Sequence, residues 1–564
     1  MTKAVTIALS VLTLGGTVAV PMAHGAGVAR FTGFSYEGHD SYYESNPLPS
    51  EEHFYNPVIP GWASDPSVVR VGEDYWLVTS TFGYFPGIPL YHSRDLVSWE
   101  LVRNVLDRPS QLPYLPGQSL DKGGIYAPQI SYNPANGLYY VITTDVWKGH
   151  FYVTASDPAG DWSDPVFLPA IDGIDPSLFF DDNGEACIVY KEETAGLPKW
   201  SNYRCIRFIA FDPEEGTTVG ESEPLREVGV GPEERLERDE GPHIYKRAGK
   251  YYLVCAEGGT GDRHSAVVYK ADSMKGPYAR WPRNPMLTQR GLKPRRTNPV
   301  TCAGHADLVT TPEGEWWAVF LASRPQEKHG FQALGRETFL MPVRWSADSF
   351  PYITQNIDTV PFLQRRPGTK ADDGRMAGNF DWHDDFSTSD LRPEWLSLRG
   401  ALGSRCRVAD GVLTLECSQV KASSDGIPSY LGRRVQHHEY SVAATVSFLP
   451  SSEGERAGLM VLKNESRQYF LALDSRGISA HMLGKKGNDT ELGRVPYPAG
   501  ITAGEPLELC MRCHGDTYSF HCRRCGETKW QTVAEGADAS YVSCERSGGF
   551  TGATVGLYAE VTGI

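Results

Sequence analysis

The chain has 564 residues, 40% hydrophobic and 22% charged, with a formal net charge of −15. That length exceeds one ordinary domain and predicts two or three, while the composition is that of a folded soluble chain rather than a disordered or membrane-embedded one. The negative charge weighs against nucleic acid or an anionic membrane as a partner, because nothing in the overall field draws in a polyanion.

The N-terminal run "AVTIALSVLTLGGTVAV", between Lys3 and the small-residue stretch "MAHGAG", predicts a signal peptide over residues 1–25 and a secreted, extracellular product. Asn464 in "NES" and Asn488 in "NDT" are expected glycosylation acceptors. Residues 26–52 read as an N-terminal extension.

From residue 53 the chain repeats itself. "SDPSVVRVGEDYWLVTST" from Ser64 has four relatives: "APQISYNPANGLYYVITTD" from Ala127, "DPSLFFDDNGEACIVYKE" from Asp175, "EGPHIYKRAGKYYLVCAEGG" from Glu240 and "HADLVTTPEGEWWAVFLAS" from His305. Each is a polar or small start, a short strand, a turn rich in Gly, Asn or Asp, and an aromatic strand. The spacing holds about four short strands per repeat, the size of a propeller blade. The expected fold is all-β: a five-bladed β-propeller over 53–365, a linker over 366–383 that takes in all but the first residue of "RRPGTKADDGRMAGNF", and a β-sandwich over 384–564. The aromatic pairs "YW", "YY" and "WW" read as packing between blades.

Eleven Cys leave one over if the others pair. "CMRCHGDTYSFHCRRC" has zinc-like spacing, but "GD" marks a hairpin, and two Cys three residues apart on a strand face opposite ways. Disulfides or free thiols are expected there instead, and secretion tilts the reading towards disulfides.

Radial blades would bring the polar strand starts together at a central funnel, so Asp65, Asp175, Glu240 and His305 should converge. Crowded carboxylates push one another's pKa values apart, as glycosidic hydrolysis requires: one acid protonated, another ionised. The same acids could instead cap strands or bind a cation.

The segments "ASDPSVVRVGEDYWLVTSTFGYFPG", "GGIYAP", "GIDPSLFFDDNG", "EGPHIYKRAGKYYLVCAEGGT", "CAGHADLV" and "LGRET", in this order, resemble glycoside hydrolase family 43, especially its β-xylosidases. The resemblance runs from about Asn56 into the sandwich, which looks like the accessory domain often attached to those enzymes. It implies a five-bladed propeller that inverts the anomeric centre. By position, Asp65 matches the general base, Asp175 the residue that orients the acid and raises its pKa, and Glu240 the general acid. Arg336 matches the sugar-contacting arginine, Phe82 an aromatic wall, and His305 an axial histidine beside which some relatives hold calcium or another cation. No cofactor is required on this reading; a structural calcium is possible.

An inverting pair should stand roughly 6.5–9.5 Å apart, a retaining pair about 5 Å. The sequence departs from the xylosidase pattern at "YAPQ", so Tyr126 and Gln129 are taken as lining the region of substrate choice. The expected substrate is an oligosaccharide or polysaccharide losing terminal β-D-xylose or α-L-arabinofuranose, with linkage and oligomeric state open. The alternatives are an invertase-like fructan hydrolase, whose "NDPNG" and "RDP" signatures are missing, and a non-catalytic carbohydrate-binding protein.

Overall fold

The computed structural model describes residues 27–113, 117–192, 204–228, 239–293, 295–368 and 376–562. The expected signal peptide and most of the charged segment preceding Glu240 lie outside the described residues.

Five antiparallel sheets follow one another in sequence. Their first strands are Ser67–Val71, Ile125–Asn133, Ile174–Phe180, Glu240–Arg247 and Thr301–Thr310, and each touches the next until the fifth returns to the first, closing a ring. This is a propeller, with the strand starts gathered at one end of the axis. The aromatic pairs pack as expected: Tyr75, Tyr140, Tyr252 and Trp317 are buried among neighbouring sheets.

The fifth sheet contributes only three consecutive strands, and earlier chain completes it. Val58 and Ile59 N–H donate to Thr338 O, and Thr338 N–H donates back to Ile59 O. Outside this, His53–Tyr55 pairs with Leu363–Arg365, joining the two ends of the propeller segment. A buried ion pair fixes the closure: Arg324 Nε and Nη2 donate to the two oxygens of Glu337 at 2.6 and 2.8 Å, and Glu337 Oε1 also accepts from Gly61 N–H at 2.8 Å.

The C-terminal half is a sandwich of an eight-stranded and a six-stranded sheet. The stretch read as an N-terminal extension belongs in part to it. Val28–Gly38 lies between Val412–Glu416 and Tyr440–Phe448, with Ala29, Phe31, Phe34 and Tyr36 turned into the core. That inward alternation, with one bulge after Phe31, is the signature of a half-buried strand.

The "CMRC…CRRC" segment is a hairpin, Leu507–His514 against Thr517–Arg524. Cys513 and Cys522 enter the sandwich core while Cys510 faces the opposite side. Among the described residues no two cysteines are joined in a disulfide, against the tilt towards disulfides; most are enclosed in apolar packing and act as small hydrophobes. Asn464 is also not a surface acceptor: it is buried, with Nδ2 donating to Asp121 Oδ2 at 2.9 Å. Asn488 is exposed.

Propeller and sandwich share a hydrophobic core. Trp62, Phe82, Tyr84 and Leu120 of the first pack with Leu396, Met460, Phe470 and Tyr558 of the second, and Tyr84–Phe85 pairs with Ser397–Leu398. An interface continuous with both cores fixes the two domains relative to each other.

Candidate active site

At the strand-start end of the axis, a cavity of about 230 Å³ is lined by Asp65, Asp175, Glu240, His305, Arg336, Phe82, Tyr126 and His264, among others, and by Phe550 of the sandwich. The local backbone explains the convergence. Asp65, Asp175 and His305 each take a left-handed φ of 57°, 57° and 48°, and Gly241 takes 56°. Pairing slips by a bulge after Ile174, after Glu240 and on either side of Gly304. Each kink re-aims the strand start towards the axis. For a non-glycine residue this conformation costs on the order of 1–3 kcal/mol, and it persists only where surrounding structure enforces it.

Asp65 is buried but is the carboxylate with the most stabilising partners in the site. Its Oδ2 accepts from Ser80 Oγ at 2.7 Å, and its Oδ1 lies 3.3 Å from His305 Nδ1 and 3.7 Å from Arg336 Nη1. Burial disfavours the carboxylate, but Arg336, His305 and Ser80 outweigh it and hold Asp65 well below the usual range. Glu240 is the opposite case. Burial, reinforced by the charge of Asp175, raises it to about 7 despite Lys191 and His305. Asp175 is itself raised, by burial first and by Asp65, while its Oδ2 accepts from Gly241 N–H at 3.1 Å.

His305 is held on the axis. Burial works against its protonation, but the bond to Asp65 and the charges of Asp175 and Glu240 raise its pKa. Its ring fits only because residue 241 has no side chain: a Cβ there would sit 2.6 Å from His305 Nε2. Below it, His243 Nδ1 stands 3.3 Å from Asp307 Oδ1, and Asp307 also accepts from Ser67 Oγ, Val68 N–H and the Tyr245 hydroxyl. Among the described residues no group of three or more His, Cys, Asp or Glu side chains is arranged to hold a metal ion. His305 Nδ1 is turned to Asp65.

The wall is aromatic. Phe82, Tyr126 and Phe550 stand edge-on or tilted to one another with ring centroids 5.6–5.8 Å apart, and the Arg336 guanidinium lies 5.3 Å from the Phe550 ring. Gln129 is not part of it. Its Oε1 accepts from Leu178 N–H and its Nε2 donates to Ile130 O, both at 3.0 Å, so it ties the second sheet to the third. The bulge between Tyr126 and Gln129 separates the environments of the two.

Sequence reasoning missed His264 and Phe550. His264 follows the loop "EGGTGD", whose Gly259 and Thr260 line the cavity; burial lowers its pKa to about 4, and Nδ1 bonds Cys302 O at 2.8 Å. Phe550 comes from "SGGF", a loop nearly five hundred residues from Asp65 in sequence, and no local pattern marks it.

A small funnel with one carboxyl held well below the usual range, another raised to about 7, and aromatic and guanidinium walls is the equipment of a glycoside hydrolase. Comparison with known proteins agrees. The model of glycosyl hydrolases family 43 matches residues 54–351, and that of the beta-xylosidase C-terminal concanavalin A-like domain matches 383–563. The chain is 35% identical to a non-reducing end alpha-L-arabinofuranosidase of Bacteroides ovatus, over 91% of this chain and 92% of that one. It is 34% identical to a xylosidase/arabinosidase of Butyrivibrio fibrisolvens, over 90% and 96%. A crystal structure of a GH43_12 protein retrieved from capybara gut metagenome superposes with a TM-score of 0.86 at 36% identity, covering 95% of this chain and 99% of that one. The chain belongs to glycosyl hydrolases family 43, and it is a glycosidase acting on carbohydrate.

Proposed function

We propose that this enzyme removes terminal β-D-xylose or α-L-arabinofuranose from xylan-derived oligosaccharides or hemicellulose by single displacement with inversion, and that it acts outside the cell. The observation that carries the mechanism is the split in proton affinity between Asp65 and Glu240. Asp65, ionised, takes the proton of the attacking water, while Glu240, protonated, donates to the departing oxygen. Asp175 holds Glu240 in the acid form by its charge. Arg336 and His305 orient Asp65 and are within reach of sugar hydroxyls, and Phe82, Tyr126 and Phe550 form the apolar side of the pocket.

Two further points support this reading. Asp65 and Glu240 belong to the first and fourth sheets, which are not neighbours in the ring, and the fifth sheet with His305 stands between them. That placement favours a pair wide enough to admit water. The cavity, at about 230 Å³, falls below the roughly 300–1,000 Å³ of pockets for drug-sized ligands and suits one terminal sugar unit. Relatives named for xylosidase and for arabinofuranosidase activity support both sugars as candidates. Export rests on the N-terminal apolar run.

The test compares initial rates on aryl β-D-xylopyranoside and aryl α-L-arabinofuranoside, with Glu240→Ala as control, while proton NMR follows the first-formed anomer. Turnover lost in the variant, with the released sugar of opposite configuration, is the expected result. A first product of retained configuration would overturn the water-attack assignment of Asp65.

A further inference from the structure

Phe550 reaches the pocket from another domain, so something must hold its loop in place. The contacts converge on Asp121, which is 2% exposed. Its backbone O accepts from Phe550 N–H at 2.9 Å. Its Oδ2 accepts from Asn464 Nδ2 at 2.9 Å and Lys463 Nζ at 3.4 Å, both on the sandwich, and its Oδ1 accepts from Ser119 Oγ at 3.0 Å. Lys463 Nζ donates also to Gly548 O, two residues before Phe550, at 3.1 Å. Gly549 closes over the carboxylate: its φ is 81°, and a Cβ there would meet Asp121 Oδ2 at 2.0 Å.

The adjacent Leu120 holds the facing wall. Its O accepts from Gly83 N–H at 3.0 Å, beside Phe82, and its N–H donates to Glu465 Oε1 at 2.8 Å. Glu465 is in turn paired with the buried Arg399, whose N–H donates to Gly83 O. Leu120 and Asp121 thus join Phe82 of the propeller and Phe550 of the sandwich through charges closed off from solvent, where a hydrogen-bonded ion pair has one favoured geometry.

We propose that Asp121 is a positioning residue for the substrate pocket, acting through Phe550: with Lys463 and Asn464 it fixes the separation between the Phe82 and Phe550 rings and thereby how tightly the terminal sugar is gripped. This rests on the pocket being the pentose site. The proton chemistry of Asp65 and Glu240 is not involved, so the effect belongs in KM rather than in the pH dependence of kcat.

The experiment is a double-mutant cycle in the full-length enzyme, measuring kcat, KM and their pH profiles on aryl β-D-xylopyranoside and aryl α-L-arabinofuranoside. Asp121→Asn would leave Lys463 buried without its counter-charge and threaten folding. Gly549→Ala is therefore made in parallel, because its Cβ forces the loop and Asp121 apart while both charges of the pair are kept. The expected result is a severalfold rise in KM for either variant on the better substrate, with the alkaline limb of kcat unmoved, and no further rise when either is added to Phe550→Ala. If Gly549→Ala and Asp121→Asn multiply with Phe550→Ala, or if both leave KM unchanged while Phe550→Ala raises it, the positioning role is refuted and the pocket assignment stands. If Phe550→Ala itself leaves KM unchanged on both sugars, it is the pocket assignment that fails.

Discussion

The ring of Phe550, carried by the sandwich, stands 5.6 Å from that of Phe82, carried by the propeller, tilted by 37°. The pocket is therefore a product of two domains. An aromatic contact of this type contributes on the order of 1 kcal/mol beyond its buried area. Phe550→Ala should lower kcat/KM for the preferred aryl pentoside about five- to tenfold, mainly through KM, in steady-state assays. An unchanged KM would remove Phe550 from the binding surface.

Glu240 must hold its proton to act as the acid, and its raised pKa of about 7 sets where that proton is lost. Activity should be present below that value and fall as pH rises through it. Asp65, held far below the usual range, stays ionised across the same window. In Asp175→Asn the charge that raises Glu240 is gone, so its pKa falls and the alkaline limb of kcat/KM should move to lower pH. A limb that moved upwards or stayed in place would contradict the role given to Asp175.

Glu240→Gln should cost about 10²–10⁴-fold on substrates whose leaving group needs protonation. The loss should shrink on aryl pentosides with acidic phenols, because those depart without a proton. An equal loss across a series of phenols, read from the slope of log kcat against leaving-group pKa, would count against Glu240 as the acid.

Gly241→Ala tests the packing beneath the acid. The added Cβ meets His305 and must be accommodated at a φ of 56°, displacing the ring that bonds Asp65. Misplacement of a catalytic group by about 1 Å costs on the order of 10²-fold. That fall in kcat is expected with the melting transition changed much less than the rate.

Arg324→Met should destabilise the enzyme by about 3–5 kcal/mol, because it strands Glu337 in the ring closure without its partner. Both side chains are almost wholly buried, and burial already raises the Glu337 pKa despite Arg324. Denaturant unfolding monitored by fluorescence checks this. Arg324→Met with Glu337→Gln should recover part of the loss.

The repeats were legible because each carries its pattern locally. Alternation in "SVVRV" and "DYWLV", a turn between them, and a charge at the strand start are properties of adjacent residues, so Asp65, Asp175, Glu240 and His305 could be named as convergent from spacing alone. The first strand of the sandwich was equally marked by Ala29, Phe31, Phe34 and Tyr36, but its partners lie about four hundred residues downstream, and nothing near it says which sheet it joins. Gln129 misled because a bulge separates it from Tyr126, and a bulge is set by pairing with the next strand.

What the sequence by itself determined is the class of fold, the five strand starts and the carboxylates they carry, since each follows from side-chain period and turn chemistry over a few residues. Only the tertiary structure showed which carboxyl is pushed up and which is held down, because that depends on burial and on charges from other sheets: Arg336 and His305 beside Asp65, Asp175 beside Glu240. It also decided that the pocket's last wall is Phe550, placed by the buried contacts around Asp121 and Lys463, which no local stretch of chain contains.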